Sequence, residues 1–128
     1  MIHPPFTLPP GNPANASSST LPTTTDALGR ALPGILAVAR PYAIIVFGSR
    51  ARGDNAPDAD LDLLIVLEQP AADPWRVAAD IRRAIGAIGI GIDIIVSDRQ
   101  RWDRYQHLNG SIEGMAARDG RMVILDAA

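Results

Sequence analysis

Residues 47–66 read FGSRARGDNAPDADLDLLIV, and this stretch decides how the chain is interpreted. An apolar run at 43–47 (AIIVF) leads into Gly48-Ser49, a turn-rich segment follows at 54–58 (DNAPD), and a second apolar run spans 61–67. Continuous apolar runs of this length read as strands covered on both faces. Asp60 and Asp62 interrupt the second run. Two apart on a strand, they share one face, while Leu61, Leu63 and Ile65 point to the other, into the core. Burying one carboxylate costs several kcal/mol unless it is paired or metal-bound. Two side by side repel, which forces one to take up a proton. A divalent cation between them removes that repulsion, and hard oxygen ligands suit Mg²⁺ or Mn²⁺. The alternative is an edge strand whose outer face is solvated.

Asp93 adds a third carboxylate, again alone amid apolar strand residues in GIDIIVS. If its strand lies beside the 61–67 strand, Asp93 approaches Asp60 and Asp62 laterally at about 5 Å strand spacing. Three carboxylates on adjacent strands make a two-metal site for phosphoryl or nucleotidyl transfer, with metals about 3.5–4 Å apart. Gly48-Ser49 then suits a phosphate, because a glycine turn into a helix start presents backbone N–H groups to an anion. Arg50 or Arg52 is placed to hold a phosphate oxygen. For Gly-Ser alone an ordinary cap is the simpler reading, and a solvated helix face is the simpler one for either arginine.

Outward from this centre, residues 1–24 hold six of the 11 prolines with several serines and threonines, a composition that reads as a flexible tail. Residues 26–40 carry a broken helical pattern, with the helix restarting at Pro33. Ser49 is expected to cap a short helix ended by Gly53. Asp73-Pro74 opens a helix whose apolar side includes Trp75, which is expected in the core. A strand follows at 92–96, then helices capped by Asp98 and Ser111, and a last strand at 122–125. The order predicts one α/β domain over 25–128, a small mixed sheet flanked by helices. Trp102 and Tyr105, three apart on a helix, are a core pair or a partner surface. GAIGIG (86–91) precedes a strand instead of following one and is a turn, not a dinucleotide loop.

Composition narrows the chemistry. The chain has 128 residues, net charge −2, no cysteine and two histidines, and all 12 of its basic residues are arginine. Thiol catalysis, cysteine-ligated zinc and any lysine-dependent mechanism are thereby excluded. The charge does not suggest direct nucleic-acid binding. No apolar run reaches the roughly 20 residues of a membrane span, and the N-terminus lacks a signal-peptide pattern. A cytoplasmic protein is expected.

Gly48-Ser49, ten residues, Asp60-Leu61-Asp62 and a later Asp93 together resemble the nucleotidyltransferase superfamily of DNA polymerase β and the kanamycin nucleotidyltransferases. The wording GSRARG…DADLDLLIV is most similar to the minimal, MntA-like nucleotidyltransferase antitoxins, and the likeness extends over roughly residues 26–126, including GSIEGMAARDGRMVILD. The resemblance implies the nucleotidyltransferase fold and Mg²⁺-dependent transfer of AMP from ATP. It implies that Asp60, Asp62 and Asp93 hold the metals, that Asp93 helps deprotonate the attacking hydroxyl, and that Gly48, Ser49 and Arg50 or Arg52 contact the triphosphate. It also implies a HEPN-domain toxin as partner, silenced by AMP on a tyrosine. Ala59 stands where many relatives have serine, which removes a hydroxyl but no metal ligand. With little chain left to hold an acceptor, a partner protein is expected to hold it. Two rival readings remain: a non-catalytic antitoxin that neutralises its partner by docking, and a nucleotidyltransferase acting on a small molecule of the aminoglycoside type.

Overall fold

A computed structural model describes residues 5–9 and 21–125. The central sheet has four strands in the order β4-β3-β2-β5: β2 (Pro41–Phe47), β3 (Leu61–Leu67), β4 (Ile92–Asp98) and β5 (Arg121–Met122). β2 pairs antiparallel with both β3 and β5, whereas β3 and β4 run parallel. A parallel neighbour requires a crossover, supplied here by α3 (Pro74–Ile85). The expected mixed sheet with flanking helices is the architecture observed.

β3 alternates between two cores. Leu61, Leu63 and Ile65 join Ile44 and Val46 beneath α1 (Thr24–Val38) and α3. Leu64 and Val66 join Ala43 and Ile45 against Trp102 of α4 (Arg99–Tyr105) and Ala116 of α5 (Ile112–Asp119). The sheet is therefore the middle of three layers, which explains why its central strands are apolar throughout. The short α2 (Ser49–Arg52) joins β2 to the loop before β3.

Helix ends follow their local chemistry. Thr23 and Asp26 form a reciprocal capping box on α1, and Asp73, Asp98 and Ser111 accept the amides of Arg76, Arg101 and Gly114 as expected. Four expectations are corrected. The first helix does not restart at Pro33 but runs unbroken through it; a side chain at Gly34 would strike the Ile85 backbone, so close packing of α1 on α3 holds the helix through the weak Pro-Gly pair. Gly48, not Ser49, is the cap of α2, and Ser49 is its first helical residue. Trp75 is not in the core: it is 87% exposed. The last strand divides at Val123 into β5, beside β2, and β6 (Ile124–Leu125), which pairs with β1 (Phe6–Thr7).

That pairing places Phe6 in the α1–α3 core, so at Phe6–Thr7 the chain is an ordered strand where a tail was expected. The rest of the expected tail, at 1–4 and 10–20, lies outside the described residues. Among the described residues no helix is long and apolar enough to cross a membrane.

Candidate active site

Parallel pairing sets the register of β3 and β4 so that Asp62 and Asp93 are direct partners. By strand alternation both point to the α4–α5 side, Asp62 in the row of Leu64 and Val66, Asp93 in the row of Ile95 and Ser97. Asp60 precedes β3 and stands against the loop leading into β4, where Gly91 abuts its carboxylate. The Gly91 carbonyl accepts the Leu61 amide at 2.9 Å, which joins the two strand starts.

Gly48 closes the site from β2. Its φ of 73° and ψ of −155° belong to glycine alone, and a Cβ there would run into the Asp62 carboxylate. This glycine therefore serves both the turn and the space that Asp62 occupies. Asp62 is half-buried and its carboxyl is pushed above the ordinary aspartate value, first by burial and then by the charges of Asp93 and Asp60, with Arg50 and Arg52 opposing. The like-charge crowding expected from the sequence is thus present at Asp62.

The two arginines part company. Arg50 is 2% exposed, and its guanidinium donates to the Ala59 carbonyl, the Pro57 carbonyl and the Thr24 hydroxyl, each at 3.0 Å. Two of these bonds go to the 57–59 loop and the third to Thr24 at the start of α1, so Arg50 holds in place the segment that leads to Asp60. Burial lowers its pKa, opposed by Asp58, Asp60 and Asp62. Arg121 braces α2 in turn, donating to the Arg50 carbonyl at 2.6 Å and to the Pro9 carbonyl. Arg52 is exposed and pairs with Asp54 at 3.2 Å, leaving it on the solvent side of α2.

Three aspartates form a hard-oxygen donor set that suits a divalent cation of the Mg²⁺ type. Among the described residues, however, no three acidic or histidine side chains close into a preformed cation cage. The donor chemistry and the crowding at Asp62 fit a metal; the side-chain oxygens do not converge on one point.

The model of the nucleotidyltransferase domain family matches residues 34–107, which include α2, β3, β4 and all three aspartates. The chain belongs to this family. It is therefore a transferase of nucleotidyl groups, and its family generally works with a nucleoside triphosphate and a divalent metal. A solved structure of a candidate nucleotidyltransferase from Sulfolobus solfataricus is similar at 22% identity and a TM-score of 0.49, covering 69% of this chain and 85% of that one. No curated protein matches the chain.

Other residues singled out in the sequence have structural duties. Trp102 is buried between the sheet and α5, and Tyr105 lies beneath the guanidiniums of Arg101 and Arg104. His107 is exposed. Sequence reasoning missed Glu113, a carboxylate only 1% exposed on α5. Its signal was weak, because a lone Glu in the first turn of a helix is ordinary.

Proposed function

We propose that this nucleotidyltransferase transfers AMP from ATP to a hydroxyl acceptor, a tyrosine of a HEPN-domain toxin, and so acts as its antitoxin. The observation that carries the catalytic part is the direct register of Asp62 with Asp93 beneath the Gly48 turn. The antitoxin part rests on the resemblance of GSRARG…DADLDLLIV to minimal nucleotidyltransferases of that kind.

Asp60, Asp62 and Asp93 would hold a divalent metal, Mg²⁺ or Mn²⁺, which when bound neutralises charge on the triphosphate. Asp93, exposed at the start of the edge strand, accepts the proton of the acceptor hydroxyl. The hydroxyl oxygen bonds to the α-phosphorus, the bond from that phosphorus to the β-phosphate oxygen breaks, and pyrophosphate leaves. Gly48 keeps the backbone low enough for the triphosphate to approach, with Ser49 beside it. Arg50 acts at one remove, by fixing the loop that presents Asp60.

The test is intact mass. The protein, its neighbouring-gene product, ATP and Mg²⁺ are mixed and both chains are weighed. Whole AMP units on the partner, lost with Asp60→Asn, are the expected result. A stable complex without added mass, still neutralising the partner, would replace transfer with docking.

A further inference from the structure

A second cleft opens along the same strand. β4 is the edge of the sheet, and around its outer side Pro74, Trp75 and Ala78 of α3 face Arg101 of α4 and Ile112 and Glu113 of α5 across a cavity of about 250 Å³. Ile95 and Ser97 line it, and they continue the row of side chains that begins at Asp93. With same-face residues about 7 Å apart, the cleft begins one side chain beyond the candidate active site.

Its lining is mostly apolar, with Ser97, Asp98, Arg101 and Glu113 as its polar residues. Glu113, the least exposed lining residue, uses Oε2 to accept from Ser97 Oγ at 2.7 Å and Arg101 Nε at 3.3 Å. Its Oε1 is buried without a hydrogen-bond partner among the described residues. A buried carboxylate oxygen left unpaired costs free energy that a donor would recover. The charged lining residues are Asp98, Glu113 and Arg101, a formal sum of −1, so a positively charged donor is favoured. Trp75 stands 87% exposed at the cleft, the kind of aromatic that anchors a partner chain, and Ile95 is 39% exposed beside it. Among the described residues no strand pairs with the outer edge of β4, and such an edge beside an apolar cleft is suited to an added extended segment.

We infer that this cleft is the acceptor-docking site: an extended segment of the acceptor protein lies along the edge of β4 and inserts an arginine or lysine side chain toward Glu113, placing a hydroxyl residue two to four positions away at Asp93. This rests on the proposed transfer to a protein, and it assigns the acceptor its chemistry, a hydroxyl residue and a basic residue on the same face of a short extended segment.

The probe is a blocked pentapeptide, Tyr-Thr-Ile-Thr-Arg, with the reverse order Arg-Thr-Ile-Thr-Tyr as its companion, since β4 can pair in either direction. Neither contains tryptophan, so emission from the exposed Trp75 reports binding without nucleotide or transfer. Saturable binding of at least one peptide is expected, weakened about tenfold when citrulline replaces arginine, because a charge-assisted bond becomes a neutral one. Glu113→Gln should abolish the preference for arginine over citrulline. The citrulline comparison leaves the protein unchanged, so it stands even if Glu113→Gln does not fold. No saturable binding, or equal binding of arginine and citrulline peptides, overturns the inference. Benzamidine binding as tightly as the peptides would also overturn it, in favour of a free amidine or amine as occupant. Because the readout needs no ATP, the docking site can fail while AMP transfer stands, or stand while transfer fails.

Discussion

Replacing Gly48 with alanine should separate the stability of this fold from its chemistry, because Gly86 supplies a matched control. Gly48 has φ 73° and ψ −155°, and Gly86, the cap of α3, has φ 68° and ψ −153°. The two backbones are nearly the same, in a region that costs a non-glycine residue about 1–3 kcal/mol. Their surroundings differ: a Cβ at 86 meets nothing within 4 Å, whereas one at 48 strikes the Asp62 carboxylate. That carboxylate is the far end of a side chain and can swing away, so the collision adds little to the loss of stability. It moves Asp62 from its place beside Asp93. Gly48→Ala and Gly86→Ala should therefore lose similar stability, shifting the urea midpoint by about 1 M for an m-value of roughly 1–3 kcal/mol/M. MgATP affinity, read by calorimetry, and AMP transfer, read by intact mass, should survive in Gly86→Ala. Transfer should fall by about 100-fold or more in Gly48→Ala, the scale of a 1 Å misplacement. Equal transfer by the two variants would refute the claim that Gly48 is needed for the space it leaves to Asp62.

Other perturbations have definite signs. Asp62→Asn should raise the melting temperature at neutral pH while removing transfer: an ionised Asp62 is disfavoured in the folded chain, so it destabilises above its raised folded value, and the penalty lifts as the pH falls through that value. A melting temperature at pH 7 lower than wild type would contradict this. Arg50→Met should cost roughly 2–3 kcal/mol by stranding the Pro57 and Ala59 carbonyls, and hydrogen exchange should show the 54–60 loop opening. Trp102→Ala should cost about 3–5 kcal/mol in urea unfolding, whereas Trp75→Ala should stay within about 0.5 kcal/mol. A large loss at Trp75 would mean that it packs on the protein itself.

Local chemistry was readable without the fold. The strand at 61–67, the caps at Asp73, Asp98 and Ser111, and the left-handed Gly53 after α2 each follow from a few neighbouring residues, and the structure has them there. Asp60, Asp62 and Asp93 stood out because isolated carboxylates in apolar runs are costly wherever those runs end up. What the sequence left open depends on groups far apart in the chain. Arg50 and Arg52 were equivalent in the sequence until the 57–59 carbonyls and Thr24 were seen to bond Arg50 alone. Pro33 was a helix start until packing of Gly34 on Ile85 outweighed its local cost. Phe6 was part of a tail until β6 paired with its strand, and Glu113 was an unremarkable helix residue until the sheet edge enclosed it. The sequence by itself determined the central strands, most helix ends and the three isolated carboxylates, since helix caps, strand patterning and the cost of lone buried charge act over a few residues. Only the tertiary structure decided that Asp62 faces Asp93 and that Gly48 lies against Asp62, because that register is set by how the α3 crossover brings β4 alongside β3.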